Sequence, residues 1–481
     1  MSYSTTDYLG VLKDQIQTSL IPRDDNARKV PLYTHRMLTV MQARANVLPG
    51  LQQKALAEIN DLLNELCAAL EVTDAGLVLV PLLMRHVRNR PDYAEAEPLL
   101  QTAVRLLAEK PGAPDRQLQQ KIAAITCRVV DALHQAVVDQ DFRQIGDAKP
   151  IESLDDTKKL ALRDFLRQKF PAESLLEIVG TKTIIGGGSK TTVLVELLGT
   201  RDLPGTVVLR IDLARGVVGS TVVDEFHLIE LVHEAGLPVP KPYLLETDTR
   251  VLGNPFIVVS KIEGRNIGDW FEVTEPSRDF AAGLAHALAK LHQIPVERGA
   301  RLPGANMSNE EIVARDIRYF EEFWRASGEV SIAHEQGVAW LKQHMHYATD
   351  RRAIIHRDAG CHNMLGLDGK LSALLDWETA QIGNPVFDLM YGRFSVEQMM
   401  PWGEYLDEYE KAGGVRPSKR EEVFFRLLVG LFSAHFTIVA RKFIEAGISN
   451  GLALGYAAQR VHLHYQRELH EAVRLALESD V

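Results

Sequence analysis

The pattern of hydrophobic positions along the chain changes near residue 150. Before that point, apolar residues recur at intervals of three and four, as they do along one face of an amphipathic helix. This spacing predicts helices over 51–70, 98–110 and 118–137, and Pro111-Gly112 would end the second of them. Residues 1–145 are therefore expected to form an all-α bundle. Their sequence contains no recognisable catalytic constellation and leaves the role of this part open.

After residue 150 the pattern changes to short strands and turns. A polar linker over 139–159 leads into a helix predicted over 160–170, which would stop at Pro171. β-branched runs separated by Gly-rich or polar turns then follow, which is typical of an antiparallel sheet. The predicted order β-β-β-α-β comprises strands over 175–185, 191–199 and 205–213, a helix over 222–236 and a strand over 254–262.

Composition and charge narrow the class of protein. A chain of 481 residues that is 46% hydrophobic is long enough for two or three domains with cores of their own. The formal charge of -10 lies almost entirely after residue 150 and gives no general attraction to polyanions, so we expect no nucleic-acid partner.

Two further features bear on where the protein works. The longest strongly apolar run, Gly76–Met84, is less than half of the roughly 20 residues that span a bilayer, and the N-terminus does not resemble a secretory signal. The three cysteines, Cys67, Cys127 and Cys361, are far apart and odd in number, unlike a disulfide framework or a zinc site. We expect a soluble, cytoplasmic protein with no membrane partner and with reduced thiols.

The segment 353–389 carries the strongest chemical signal. A strand-like run delivers His356, Arg357 and Asp358 into a loop, and Asn363 follows five residues after Asp358. A hairpin then turns at Asp368-Gly369, which is a strong two-residue turn signal. Pairing the strands about this turn sets Asn363 opposite Leu374, so the side chains of Asn363 and Asp376 should lie close together at the open end.

This constellation suits phosphoryl transfer. A divalent metal must neutralise nucleotide phosphates, and a carboxylate must orient the attacking hydroxyl and take its proton. Asp358 would be that base, and Asn363 and Asp376 would hold Mg²⁺. The spacing H-R-D-x-x-x-x-N is the kinase catalytic-loop signature. The alternative interpretation is a surface loop with scattered acids and a buried histidine.

A glycine run lies between the first two predicted strands. Gly186, Gly187, Gly188 and Ser189 could bring bare backbone N–H groups close to phosphates, or they could form a flexible hairpin loop. The adjacent Lys190 is interpreted as a solvated charge. Both interpretations of the glycine run remain open from the sequence.

Residues from about 155 to 480 resemble the aminoglycoside phosphotransferase-like small-molecule kinases. The motifs that carry the resemblance occur in the family's order and are GGGSKTT, VLR, GLPVPKPY, VLGNPFIVVSKIEG, HRDAGCHN, LLDWE and GNPVFDL. The most similar branch comprises the kinase domains beside or fused to acyl-CoA dehydrogenases, which phosphorylate 4-hydroxyacyl-CoA. The resemblance implies an ATP- or GTP-dependent enzyme with a small-molecule hydroxyl as acceptor.

The resemblance also implies a fold and a domain organisation. The fold class is α+β, a bilobal protein-kinase-like fold whose N-lobe is an antiparallel sheet and whose C-lobe is mainly helical, preceded by the all-α domain. The expected boundaries are 1–145 for the helical domain, 155–262 for the N-lobe and 263–481 for the C-lobe. The role of the N-terminal domain stays open from the sequence: it could form a homodimer, shape the acceptor site or dock a partner protein. Three C-lobe helices, over 310–328, 424–447 and 455–479, would build the acceptor pocket.

Residue roles follow from the resemblance position by position. Asp358 is the base, with His356 and Arg357 beside it in the catalytic loop, and Asn363 and Asp376 are the metal ligands. Nucleotide binding would involve the glycine run, the ion pair of Arg210 with Glu225, and a linker at Ser260, Lys261 and Ile262 that offers backbone hydrogen bonds to adenine. Asp388 would support the catalytic loop.

Two positions depart from the family's pattern. Arg210 replaces the usual third-strand lysine, which keeps the charge but changes its reach and geometry. Arg357 replaces a small residue between the catalytic His and Asp. The departure at Arg210 leaves a nucleotide-binding pseudokinase scaffold as an alternative function. An antibiotic kinase is a second alternative, because the acidic excess after residue 150 would suit a polycationic aminoglycoside.

Overall fold

The computed structural model describes most of the chain after residue 92. The described residues are 93–108, 116–138, 154–184, 190–212, 220–269, 272–329, 331–445 and 461–479, with the single positions Leu51, Leu56, Ile59 and Leu62. The glycine run, Gly186 to Gly188 with Ser189, lies outside these residues, as does most of the helix predicted over 51–70. The descriptions below refer to the described residues.

The N-terminal lobe contains an antiparallel five-stranded sheet. Its strands are β1 (Glu177–Ile184), β2 (Lys190–Leu198), β3 (Thr206–Asp212), β4 (Pro242–Glu246) and β5 (Phe256–Ser260), in the spatial order β1-β2-β3-β5-β4. The predicted strands are confirmed, and β4 is an addition to them: all five of its residues are half-buried and it begins with a proline, so it shows no alternation that a sequence pattern would reveal.

A helix covers each face of this sheet. Helix α3 (Asp156–Lys169) begins four residues before its predicted start because the side chain of Asp155 caps it, accepting a hydrogen bond from the Lys158 N–H at 2.8 Å. Helix α4 (Val222–Glu234) lies on the other face. Alternate residues of β3 pack on the α3 side, so the intervening Arg210 is directed towards α4.

The C-terminal lobe is mainly helical and begins with α5 (Arg278–His292), whose apolar face is buried. Two small sheets of this lobe carry the catalytic segment: β6-β8-β9 and the pair β7-β10. Their strands are β6 (Arg265–Asn266), β7 (Ala353–Ile355), β8 (Met364–Leu367), β9 (Lys370–Leu374) and β10 (Gln381–Gly383). The remaining helices are α6 (Asn309–Ser327), α7 (Ile332–Gln343), α8 (Val386–Glu397), α9 (Trp402–Lys411), α10 (Lys419–Glu445) and α11 (His462–Glu478).

The three predicted C-lobe helices correspond to α6, α10 and α11. Within the described part of the chain, the Lys419–Lys442 segment of α10 is long and apolar enough to cross a bilayer. However, 78% of its apolar window is buried inside the structure, as in the core helix of a globular domain.

The two described helices of the N-terminal region pack on the C-lobe. Helix α1 (Tyr93–Ala108) contacts α7, and α2 (Arg116–Val138) contacts α11 and α7. Arg116 Nε and Gln120 Nε2 donate to the Leu477 carbonyl at the end of α11, at 3.0 and 2.8 Å. The proposed division of the chain at 145, 155 and 262 stays a prediction.

A buried carboxylate closes the turn between β2 and β3. Glu173 is fully buried and accepts hydrogen bonds from the backbone N–H groups of Arg201, Asp202 and Leu203 at 2.6–2.7 Å. Burial raises the pKa of Glu173, but the three N–H groups outweigh burial and the net pKa is lowered. The ionised carboxylate therefore stabilises the N-lobe.

We expect Glu173→Gln to lower the free energy of unfolding by about 1.5–3 kcal/mol at pH 7. The glutamine amide keeps one acceptor oxygen, but its NH₂ group would face backbone N–H groups that need an acceptor. A lowered folded-state pKa contributes stability above the unfolded value, near 4.5, and loses it as the pH falls through the folded value. Urea unfolding at pH 7 and at lower pH should therefore show the difference shrinking in acid. The exposed Glu297→Gln should stay within about 0.5 kcal/mol of the parent, and an equal loss in both variants would contradict this role.

Candidate active site

The catalytic loop is fixed by one buried carboxylate. Asp388, at the start of α8, has no exposed surface, and its two oxygens accept the backbone N–H groups of His356 and Arg357 at 2.8 and 2.7 Å. His292 Nε2 lies 3.1 Å from the same carboxylate. Arg357 adopts a left-handed conformation, with φ of 66°. The carboxylate thus holds the loop in a conformation that a non-glycine residue rarely adopts.

The side chain of His356 joins the loop to the segment that carries Asp376. Its Nε2 lies 3.0 Å from the Leu375 carbonyl, and the Asp358 N–H donates to its Nδ1 at 3.3 Å. These bonds fit a neutral ring with its proton on Nε2, because a carbonyl only accepts and an N–H only donates. The ring also packs on Trp377, with 4.4 Å between centroids. His356 therefore contacts the protein interior and positions Asp358.

The side chain of Arg357 is directed towards α6 and β10. Its guanidinium lies 2.8 Å from Asp316 Oδ2 and 3.1 Å from Gln381 Oε1. It also lies over the rings of Phe432 and Phe387, at 4.6 and 5.1 Å from their centroids. These contacts anchor the catalytic loop to the helical lobe.

The side chain of Asp358 is partly exposed, with 21% of its surface accessible to solvent. His362 Nε2 lies 3.0 Å from its Oδ1, and Tyr391 lies nearby on α8. Burial raises the pKa of Asp358, but the charge and the hydrogen bond of His362, together with the effect of Tyr391, outweigh burial and lower the pKa overall. The carboxylate is thus ionised and able to accept a proton at neutral pH.

Asn363 and Asp376 lie at the open end of the hairpin, but the pairing differs by one residue from the expected one. The turn has positive φ at both Asp368 and Gly369, as predicted for this dipeptide. A bulge after Leu365 then shifts the register, so Leu374 pairs with Met364. The Leu375 N–H donates to the Asn363 carbonyl at 2.8 Å, which still brings the next residue, Asp376, beside Asn363.

These two side chains fit a divalent cation. Asn363 Nδ2 donates to the Asp358 carbonyl at 3.1 Å, which leaves its amide oxygen as the free acceptor. The carboxylate of Asp376 is 31% exposed, and only its Oδ1 contacts Arg210, at 3.2 Å. An amide oxygen and a carboxylate are the donor types that Mg²⁺ prefers.

The expected ion pair between Arg210 and Glu225 is formed. Arg210 Nε lies 2.9 Å from Glu225 Oε1 on α4, and the guanidinium also reaches Asp376. Glu225 is almost completely buried. Arg210 therefore links the sheet to α4 and to the C-lobe.

The structure contradicts the interpretation of Lys190 as a solvated charge. Its side chain is only 2% exposed, not solvated, and its Nζ lies 2.9 Å from Glu378 Oε2 and 3.8 Å from Glu225 Oε2. Burial raises the pKa of Glu378, and Asp376 raises it further, while Lys190 and Arg210 oppose both effects. Strand alternation would have revealed this position, because Val193, Val195 and Leu197 face α3 and place Lys190 on the opposite face, with Arg210.

The linker residues follow β5. The Ser260 N–H donates to the Lys241 carbonyl at 2.8 Å, and its Oγ accepts the Lys241 N–H at 2.9 Å. Ile262 is half-buried in the irregular segment between β5 and β6. Ser260 is therefore engaged with neighbouring backbone, whereas Ile262 lies in the connection between the lobes.

A cavity of about 1130 Å³ extends from this charged cluster into the C-lobe. It lies between α4, α6, α10 and the segment after Asp376. Its walls combine aromatic rings with charged groups and include Glu378, Arg315, Asp316, Arg357, Phe320 and Phe432. Arg315 and Asp316 lie in the first helix range predicted for the acceptor pocket, but the sequence does not single them out, because an Arg-Asp pair within an amphipathic helix carries no distinguishing pattern.

Curated proteins of known sequence are similar to part of this chain. Acyl-CoA dehydrogenase family member 11 of Gallus gallus is 28% identical over 172 residues, which are 35% of this chain and 22% of that protein. The Homo sapiens protein of the same name is 27% identical over 173 residues, again 35% of this chain and 22% of that protein. The chain thus matches only about a fifth of the length of these relatives.

A solved structure shares the two-lobed fold. A protein of Ralstonia eutropha JMP134, described as an aminoglycoside phosphotransferase, superposes with a TM-score of 0.51 and 18% identity over 65% of this chain and 97% of its own. This likeness shows the kinase-like fold. The sequence model of the phosphotransferase enzyme family, APH, matches residues 181–423, just over half of the chain. The chain therefore belongs to the APH phosphotransferase family.

Proposed function

We propose that this protein transfers the γ-phosphoryl group of ATP or GTP to a hydroxyl group of a small molecule. The observation that carries the proposal is the arrangement of Asp358, Asn363 and Asp376, brought together by the catalytic loop and the β8-β9 hairpin. An ionised carboxylate beside two oxygen ligands is what phosphoryl transfer requires.

The reaction balances with Asp358 as the base. The acceptor oxygen forms a bond to the γ-phosphorus, the bond from that phosphorus to the β-γ bridging oxygen breaks, and the hydroxyl proton passes to the Asp358 carboxylate. The nucleoside diphosphate leaves with the bridging oxygen. His362 holds the carboxylate, and His356 holds the loop, so orientation as well as basicity is supplied by the chain.

Nucleotide and metal would occupy the cleft between the lobes. Arg210, fixed by Glu225, would face the phosphates, and the connection at Ser260 to Ile262 would contact the nucleobase. Asn363 and Asp376 would hold Mg²⁺, which when bound neutralises phosphate charge. The donor set described above fits that ion.

The acceptor would enter the cavity between α4, α6 and α10. Its aromatic wall suits an apolar portion, and Arg315 with Arg357 suits an anionic one. The relatives named acyl-CoA dehydrogenase family member 11 match 35% of the chain. Together these features support a hydroxyacyl thioester, such as a hydroxyacyl-CoA, as the class of acceptor in a catabolic reaction.

A transfer assay tests the proposal. Purified protein, Mg²⁺ and labelled ATP or GTP would be incubated with hydroxyacyl-CoAs, small alcohols and aminoglycosides. Transfer to hydroxyacyl-CoAs supports the proposed acceptor, and transfer to aminoglycosides alone replaces it with an antibiotic substrate. Nucleotide binding without transfer to any acceptor class would favour a scaffold and contradict a kinase for these substrates.

Replacing the base should remove turnover and spare binding. In Asp358→Asn, we expect kcat to fall by about 10²- to 10⁴-fold, because the amide cannot take the hydroxyl proton, while nucleotide affinity changes little. The matched control is Asp368→Asn in the exposed hairpin turn, where asparagine tolerates positive φ. Parental turnover in Asp358→Asn would exclude Asp358 as the base.

Replacing Asp388 should lower activity by displacing the catalytic loop. Asp388→Asn keeps the volume but leaves the N–H of either His356 or Arg357 facing an amide N–H₂, so the loop should shift and kcat should fall by on the order of 10²-fold. Steady-state kinetics and nucleotide titration would separate this effect from lost binding. Unchanged kcat in a folded Asp388→Asn would show that the loop does not depend on this carboxylate.

A further inference from the structure

Lys190 lies where a second phosphate-binding cation would be useful. Arg210 is opposite Thr192 in the β2-β3 ladder, so Lys190, two residues before Thr192, is its diagonal neighbour on the same face. Diagonal neighbours are within reach of each other's long side chains. Both cations converge on Glu225, Arg210 at 2.9 Å and Lys190 at 3.8 Å.

The partner of Lys190 belongs to the other lobe. Glu378 follows Asp376 by two residues and lines the C-lobe cavity, with 14% of its side chain exposed. The ion pair Lys190–Glu378 therefore crosses the cleft, as Arg210–Asp376 does. The Nζ of Lys190 also lies 3.4 Å from the Ser220 carbonyl, just before α4.

Stability alone does not account for this buried pair. Removing two charges from water costs several kcal/mol per ion, and apolar residues of similar volume often stabilise as well as a buried ion pair does. The five charged groups, Lys190, Arg210, Glu225, Asp376 and Glu378, carry a formal charge of −1. Phosphates can enter this cluster favourably only if its cations face them.

We propose that Lys190 is a phosphate-binding residue that acts beside Arg210, and that Glu378 holds it in the nucleotide-free cleft. Arg210 is engaged by two carboxylates, whereas the Lys190 ammonium is a compact charge on a flexible stem. Entering phosphates compete with Glu378 for that ammonium. The sheet thus supplies an Arg-Lys pair where the family's pattern has one lysine on the third strand.

This inference rests on the proposed nucleotide-dependent function, and it is tested by the different effects on nucleotide binding expected for substitutions of Lys190 and of Glu378. Lys190→Met should weaken binding of Mg²⁺-ATP or its non-hydrolysable analogue by about 10- to 100-fold, the worth of a charge-assisted contact. Glu378→Gln should leave binding unchanged or tighten it, because no carboxylate then competes. Adenosine, which has no phosphate, should bind both variants and the parent alike.

The control is Lys169→Met. It removes another N-lobe ion pair, in which Lys169 Nζ lies 3.3 Å from Glu246 Oε2, on the face of the sheet that α3 covers. It should bind nucleotide as the parent does. The double variant Lys190→Met with Glu378→Gln avoids an unpaired buried carboxylate at position 378 and should bind as weakly as Lys190→Met.

The competing explanation is a purely structural ion pair. It predicts equal losses in Lys190→Met and Glu378→Gln and recovery in the double variant, and either result overturns the inference. Lys190→Met binding within twofold of the parent overturns it as well. Failure of the parent itself to bind Mg²⁺-nucleotide would be a different result, because it removes the proposed function and this inference together.

Discussion

The geometry of the site depends on the buried carboxylate of Asp388. It accepts two backbone N–H groups of the catalytic loop and lies beside His292. Hydrogen bonds to a charged group contribute about 1.5–3 kcal/mol each, which exceeds the roughly 1–2 kcal/mol cost of the left-handed conformation at Arg357. With the loop held in this way, the directions of His356, Arg357 and Asp358 are determined together. Without that carboxylate the loop would be held only by the side-chain contacts of His356 with the Leu375 carbonyl and of Arg357 with Asp316 and Gln381.

A second constraint is electrostatic and joins the lobes. Arg210 and Lys190 extend from the sheet, and Asp376 and Glu378 extend from the segment after β9, so two ion pairs cross the cleft. At an effective dielectric constant near 20, opposite charges 4 Å apart attract by about 4 kcal/mol before desolvation is counted. A ligand that adds negative charge to the cleft must change both pairs. Lobe contact and ligand charge are therefore linked in this fold.

Much of the fold and of the site arrangement could be predicted because the signals are local. The Asp368-Gly369 turn, the spacing from Asp358 to Asn363 and the β-β-β-α-β order each depend on neighbouring residues. The register of the hairpin could not be predicted, since the pairing shifts by one residue between Leu365 and Gly366 and no turn or strand signal in the sequence marks that shift. The prediction that Lys190 is exposed was wrong because lysine is usually found at the surface, although the alternation of β2 directs this side chain inward.

The helices before the kinase-like lobes also bear on the site. Helix α2 packs along α11 and bonds to its last turn through Arg116 and Gln120. Helix α11 carries Tyr465, and α8 carries Tyr391; burial and the nearby charge of Asp358 raise the pKa of both phenols. Residues 116–138 therefore pack against the helix that carries one of the two tyrosines near Asp358, although their own sequence carries no catalytic signal.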